Sequence, residues 1–175
     1  MSVAPLRLAG ASIILIYLAS GSPAFAQAPT RPDPSRTPGA INPNVTQANI
    51  YETICVRGWT RTVRPPEEYT YHLKREQLRD WSYADRRRRD YEEDHLIPLE
   101  LGGSPTSPQN LWPEPWHGPW NASMKDRLEN YLHDEVCAGR IPLEEAQHEI
   151  AQDWIGAYQK YLGESPRGRG EAVAT

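Results

Sequence analysis

Two long segments of the chain repeat apolar residues at the three- and four-residue spacing of an amphipathic helix. The first repeat consists of Met124, Leu128, Tyr131, Leu132 and Val136. The second repeat consists of Leu143, Ile150, Trp154, Ala157, Tyr158 and Tyr161. Asn121 stands before the first repeat and Pro142 before the second, and the stretch "CAGR" places a glycine between them. The pattern therefore predicts one helix beginning near Asn121 and another beginning near Pro142.

The segments upstream of these helices are shorter and more polar. "TICVRGWTRTV" alternates apolar and polar residues, which predicts a strand or hairpin around Gly58. "RPPEEYTYHLKREQLRDW" is acidic at its start and basic towards its end, which predicts a short surface helix after Pro66. "YEEDHLIPLEL" predicts a strand broken by Pro98 and closed by Gly102 and Gly103, and "NLWP" predicts a second short strand. Together these elements predict an α+β fold with an N-terminal hairpin.

The first residues of the chain have the three parts of a secretory signal peptide. Arg7 lies in a short n-region, "LAGASIILIYLA" is an apolar h-region, and "AFA" precedes Gln27. The sequence therefore predicts cleavage after Ala26, a periplasmic or secreted protein, and no stable membrane association after cleavage. An uncleaved N-terminal anchor is the alternative interpretation of residues 1–26.

The mature chain is long enough for one compact domain but short for two. Residues 27–49 are rich in proline, threonine, serine and asparagine, which predicts a disordered lead-in. The sequence places the domain at residues 50–163 and a loose C-terminal tail at residues 164–175. Cys55 and Cys137 are the two cysteines, and in an exported protein such a pair favours a disulfide, worth roughly 4 kcal/mol for so long a loop.

The formal net charge of −4 argues against a protein that coats nucleic acid non-specifically, but the charge is unevenly distributed. Residues 51–90 hold 10 Lys and Arg against 7 Asp and Glu, whereas residues 91–175 hold 6 against 15. A basic front half can present an electropositive face to a polyanion. An ordinary solvated surface remains the alternative.

Residues 90–130 contain, in order, "EDHLIPLELGG", "NLWP" and "NASMKDRLEN". This order of an Asp-His strand, a loop, an Asn-Leu strand and a helix with a polar stripe resembles the ββα-metal core of HNH-type endonucleases. The longer stretch from "TICVRGWTRTVRPP" to "VCAGRIPLEEAQ" is similar to exported bacterial proteins with an HNH-like centre. The resemblance implies a small ββα-metal core with flanking helices.

Phosphodiester hydrolysis needs an activated water and a charge that stabilises the phosphoryl and leaving oxygens. A neutral histidine accepts a proton near neutral pH, and one hard divalent cation supplies the charge. The resemblance implies that His95 is the general base, that Asp94 binds the cation, and that Asn110 braces the loop and the histidine. Because adjacent side chains of a strand point to opposite faces, Asp94 and His95 converge only if the strand bends, for example near Pro98.

The last metal ligand in this resemblance lies at the start of the helix, where the spacing leaves two candidates. We favour Asn121, whose amide oxygen suits Mg²⁺, over His117, which lies in a Gly-Pro loop. Mg²⁺ is the expected cation, with Mn²⁺ or Zn²⁺ as alternatives. Each assignment has a structural alternative, since His95 can be a satisfied buried histidine, Asn110 a turn residue and Asn121 an N-cap.

Further residues are candidates for contact with the substrate. Arg87, Arg88 and Arg89 belong to "RRRR" directly upstream of the Asp-His strand and, with Lys125, can contact phosphates. The tryptophans of this region are candidates for base stacking or for core packing, and core packing is preferred for Trp112. Glu92 and Glu93 are interpreted as solvated charges at the strand edge.

These observations predict an exported, metal-dependent endonuclease that hydrolyses DNA or RNA with little sequence specificity. The alternative from another class is a non-catalytic binding or structural protein of the cell envelope that retains the ββα shape. A hydrolase acting on a small phosphorylated substrate would use the same centre and is the third interpretation.

Overall fold

The computed structural model describes residues 29–163. The predicted signal peptide and the predicted C-terminal tail lie outside the described residues. The described α-helices are α1 Thr60–Val63, α2 Glu67–Asp80, α3 Ala122–Cys137 and α4 Leu143–Leu162. The two described strands, β1 Tyr91–His95 and β2 Leu111–Pro115, form an antiparallel sheet, and short 3-10 segments lie at Gln47–Glu52, Arg88–Asp90 and Leu99–Leu101. The α+β class is therefore confirmed.

Helices α3 and α4 begin where the sequence predicts. The Asn121 side-chain oxygen caps α3 by accepting a hydrogen bond of 3.3 Å from the Met124 backbone N–H. Gly139, with a φ of +71°, follows the C-cap of α3 and ends that helix. Pro142 precedes α4. The two helices pack their apolar sides together into the main core. Its fully buried side chains include Leu128, Leu132, Ile150, Trp154 and Tyr158.

The hairpin predicted around Gly58 is wrong. This region contains the 3-10 segment Gln47–Glu52, a turn in which Gly58 has a φ of +85°, and α1. Ile50 and Ile54 are both buried in the main core. Ile50 lies in the 3-10 segment and Ile54 in the turn that follows it. Core burial therefore overrides the local alternation.

The segment that the composition predicts as a disordered lead-in packs against the domain from residue 29 onwards. Val45 is in the main core, and Thr37 is fully buried. Arg31 pairs with Asp153 at 2.8 Å, and the Trp154 indole N–H donates to the Thr30 carbonyl at 3.0 Å. Prolines and short polar residues form turns, and their side chains can hydrogen-bond to backbone groups of the segment. A packed segment can therefore have the same composition as a disordered one.

The sheet is shorter than predicted because the first strand ends at His95. The following residues turn through Leu99–Leu101 to Gly102, which has a φ of +74°. A Cβ at Gly103 would collide with the Ile97 carbonyl, so this position requires glycine. The loop that leads back to β2 is thereby held tightly against the end of β1.

A disulfide joins Cys55 to Cys137, as the sequence predicts. It links the segment before α1 to the last residue of α3, and so closes the N-terminal part of the domain onto the helical core. In residues 29–163, no helix combines the length and the apolar character that crossing a bilayer requires.

Candidate functional site

The register of the sheet decides which side chains of β1 share a face. Glu92 pairs with Glu114 and Asp94 with Trp112, so these four side chains belong to one face of the sheet. His95 pairs with Leu111 and belongs to the other face. The strand stays regular through Asp94, and no bend brings the Asp94 and His95 side chains together.

The Asn110 side chain braces the loop that follows β1, which matches its assignment for the loop but not for the histidine. Its side-chain oxygen accepts from the Ile97 N–H at 2.9 Å, and its Nδ2 donates to the carbonyls of Ile97 at 2.9 Å and Ser104 at 3.1 Å. The residue is fully buried. All three bonds go to backbone groups of the loop, and none of them goes to His95.

The His95 imidazole is enclosed by the protein. The residue is 6% exposed, and Nε2 lies 3.0 Å from the Pro105 carbonyl oxygen. Because a carbonyl can only accept, Nε2 carries the hydrogen and donates it. Burial lowers the pKa of His95 below its ordinary value, although the neighbouring Asp94 charge opposes this shift. His95 is therefore a neutral imidazole whose Nε2 is already engaged.

A buried ammonium group lies on the opposite face of β1. The side chain of Lys125 is 1% exposed, and its Nζ donates to Asp94 Oδ2 at 2.6 Å, to the His95 carbonyl at 2.8 Å and to Glu129. Burial by itself favours the neutral amine, but the charges of Asp94 and Glu129 raise the pKa of Lys125 well above its usual value. We call Lys125, Asp94, Glu114 and Glu129 the lysine centre.

The lysine centre contains more carboxyl groups than a single ammonium can neutralise. Burial acts to raise the pKa of Asp94, but Lys125 outweighs it and holds that pKa below its usual value. Burial, and then the proximity of Asp94, raise the pKa of Glu114 well above the ordinary range. Burial also raises the pKa of Glu129 to about 8. Asp94 is therefore the ionised partner of Lys125, whereas Glu114 is held protonated at neutral pH.

One group of carboxylates next to this centre has the geometry of a cation site. Oxygens of Glu92, Asp94 and Glu114 all lie within 4.8 Å of one another. Glu114 is 1% exposed, and neither of its carboxyl oxygens has a hydrogen-bond donor among residues 29–163. Burial, together with the charges of Asp94 and Asp126, raises the pKa of Glu92 to about 8. A cation can bind to this group only if Glu92 and Glu114 give up their protons, so cation binding and protonation compete here.

Of the residues that the sequence assigned to the metal, Asp94 alone belongs to a possible ligand group of the described chain. Asp94 Oδ2 is bound to Lys125, and the Asn121 oxygen caps α3 while its Nδ2 donates to the Gly118 carbonyl at 2.8 Å. His117 is exposed in the loop before α3 and belongs to no three-residue ligand group of the described chain. Lys125, which the sequence assigned to phosphate, is buried in the lysine centre and cannot reach a substrate at the surface.

A second ligand group by distance consists of Cys55, His133 and Cys137. Both sulfurs belong to the disulfide, so neither is a thiolate that could bind a metal. His133 instead contacts the Ile54 carbonyl through Nε2 at 3.0 Å. This group is structural.

The arginines of "RRRR" lie at the surface, as their assignment to phosphates requires. Arg87 pairs with Asp85 at 3.0 Å and with Asp90 at 2.8 Å, and the Arg88 guanidinium lies 4.7 Å from the centre of the Tyr71 ring. The Arg89 side chain is 79% exposed. These residues adjoin α2, which the sequence analysis did not connect with them.

The three tryptophans of this region have different environments. Trp112 is fully buried, as preferred from the sequence, and Trp120 contacts the rings of Trp154 and Tyr158 edge to face. Trp116 is 39% exposed at the end of β2. Trp116 alone of the three therefore offers substantial ring surface to a ligand.

Two members of the lysine centre were not singled out as site residues by the sequence analysis. Glu129 follows Lys125 by four residues on the polar stripe of α3, a spacing that signals an ion pair. Glu114 lies in a proline- and tryptophan-rich stretch whose register with β1 is visible only in the folded sheet. Comparison with protein-family models, with curated proteins and with solved structures gives no match for this chain.

Proposed function

We propose that this protein is an exported binding protein of the cell envelope that retains a ββα-like arrangement without hydrolytic turnover. The observation that carries the proposal is the buried Lys125 ammonium, which is bound to Asp94 Oδ2 and to Glu129. In an HNH-type hydrolase a bound cation would supply the positive charge next to this aspartate, whereas here the Lys125 side chain supplies it. Export is supported by the signal-like residues 1–26 and by the disulfide.

Electrostatics and geometry both support this proposal. A divalent cation bound at Asp94 would lie close to a fully charged ammonium that shares the same carboxylate, and the two positive charges would repel each other strongly in a buried site. The His95 side chain lies on the other face of β1 and donates its Nε2 hydrogen to Pro105. A water at Asp94 would therefore lack an imidazole to accept its proton.

The proposal is tested with the mature, oxidised protein. In titration calorimetry with Mg²⁺, Mn²⁺ and Zn²⁺, the parent protein and Asp94→Asn should give the same heats, because no cation binds at Asp94. Supercoiled plasmid should remain intact with each of these cations. Plasmid nicking that needs a divalent cation, stops with EDTA and disappears in a folded His95→Ala variant would overturn the proposal.

The hydrolytic function predicted from the sequence is the second candidate. It is favoured by Glu92, Asp94 and Glu114, whose oxygens lie within 4.8 Å of one another, and by the two Glu114 oxygens without a donor. Carboxylate oxygens suit Mg²⁺ or Mn²⁺. This candidate predicts cation binding that Glu114→Gln weakens and nicking that falls with it. A screen of small phosphate esters would then separate a nuclease from a hydrolase of small phosphorylated substrates.

A further inference from the structure

A pocket lined almost entirely by arginine lies between α2 and the segment that leads to β1. It has a volume of about 390 Å³, within the range of about 300–1,000 Å³ that is usual for ligand sites. Its lining residues are Arg75, Leu78, Arg79, Arg86, Arg87 and Arg88. We call it the arginine pocket. Five of its six lining residues are arginines and none is an acid.

The neighbouring acids neutralise only part of this charge. Asp80 binds Arg79 at 2.6 Å, and Asp85 and Asp90 bind Arg87. Arg75, Arg86 and Arg88 have no carboxylate at ion-pair distance within residues 29–163. Like charges held together repel one another unless an anion joins them, and the planar guanidinium fork binds phosphate oxygens in pairs. The arginine pocket therefore fits a phosphate group.

An aromatic groove adjoins the arginine pocket. It is lined by Glu67, Thr70, Tyr71, Lys74, Tyr91, Glu92, Glu93 and Trp116. Tyr71 and Trp116 are 43% and 39% exposed, which is unusual for large aromatic side chains. Arg88 belongs to the arginine pocket and also lies over the Tyr71 ring, so it connects the two depressions.

We propose that the arginine pocket and the aromatic groove together bind single-stranded nucleic acid, with phosphodiester groups in the pocket and a base against Trp116. The inference rests on the proposed function and names the partner of that binding protein. Adjacent cationic and aromatic surfaces are the two features of a site for unpaired strands, because every base has a face that can stack. A paired base in a duplex is already stacked on its neighbours and leaves Trp116 no partner.

The test is fluorescence anisotropy with the mature oxidised protein, a fluorescein-labelled oligothymidine and EDTA. We expect Trp116→Ala to weaken binding roughly 5- to 150-fold, as the loss of one stacked base does. The double variant Arg75→Gln/Arg88→Gln should weaken binding and should lower the slope of log affinity against log salt by roughly 0.7 for each phosphate that is no longer bound. Arg57→Gln, which removes an exposed charge outside the pocket, is the matched control and should change affinity little.

Three comparisons decide the outcome, each with variants whose circular dichroism matches that of the parent protein. Equal or tighter binding of the corresponding duplex, or of phosphatidylglycerol vesicles, would overturn the inference. An equal drop in affinity in Arg57→Gln and in the pocket variants would also overturn it, because the charge effect would then be non-specific. Cleavage of the oligonucleotide after Mg²⁺ addition would refute the non-hydrolytic function but leave this binding site standing.

Discussion

Removal of the Lys125 ammonium is the most direct test of the lysine centre. In Lys125→Met the side chain keeps nearly its length and its apolar stem, but Asp94 loses the charge that neutralises it and Glu129 loses its hydrogen-bond partner. The His95 carbonyl also loses its 2.8 Å donor. The variant therefore leaves buried acceptors and a buried carboxylate without a partner, which is the costly way to break an ion pair.

The expected loss is about 3–5 kcal/mol in the free energy of unfolding at pH 7, the range for removing one partner of a buried pair. For a domain of this length that corresponds to a fall in melting temperature of roughly 6–20 °C. The loss should shrink on acidification to pH 5. Without Lys125, burial raises the pKa of Asp94, so the folded variant takes up a proton as the pH falls and regains stability.

Urea unfolding followed by tryptophan fluorescence measures this loss under oxidising conditions that keep the disulfide intact. Lys160→Met is the matched control, because the Lys160 ammonium pairs with Glu149 at 2.7 Å on the surface and should contribute little. A triple variant that also carries Asp94→Asn and Glu129→Gln should recover part of the stability. A loss below about 1 kcal/mol at pH 7, or one that grows on acidification, would refute the assignment of a charged, buried Lys125.

Three further predictions concern the frame around this centre. Asn110→Ala should cost about 2–4 kcal/mol of unfolding free energy, measured by urea denaturation, because three backbone groups of the loop lose their partner. Reduction of Cys55–Cys137 should cost roughly 2–5 kcal/mol, measured by thermal unfolding with and without reductant. Burial raises the pKa of Glu93 from its ordinary 4.5 to about 9, so unfolding free energy should fall as the pH rises between these values, and Glu93→Gln should flatten that dependence.

Each of these predictions has a control. Asn130→Ala removes an exposed amide that donates to the Asp126 carbonyl, and it should be nearly neutral. A Cys55→Ser/Cys137→Ser variant should match the reduced protein and be insensitive to reductant. The sign for Glu93 follows from its raised folded pKa, since the folded state binds the extra proton between pH 4.5 and about 9. Stability that rises with pH across this interval would contradict the assignment.

Local patterns predicted the helices because each signal acts within a few residues. The Asn121 cap, the apolar repeat of α3 and the proline before α4 all bear on neighbouring backbone groups. The same kind of local pattern gave a wrong prediction for the segment around Gly58. Its alternation is short, and Ile50 and Ile54 gain more from burial in the core than from strand pairing.

The sequence by itself determined the α+β class, the two strand segments, the principal helices and the pairing of Cys55 with Cys137. It also marked Asn110 as a brace. Only the tertiary structure decided which groups surround Asp94 and His95, because adjacent residues of a strand point to opposite faces of the sheet. It likewise turned Lys125 inward, since the fold brings this residue of α3 against Asp94 and the His95 carbonyl, and a buried carboxylate requires a buried cation. Whether a charged side chain meets solvent or another charge depends on that packing, and no pattern along the chain contains it.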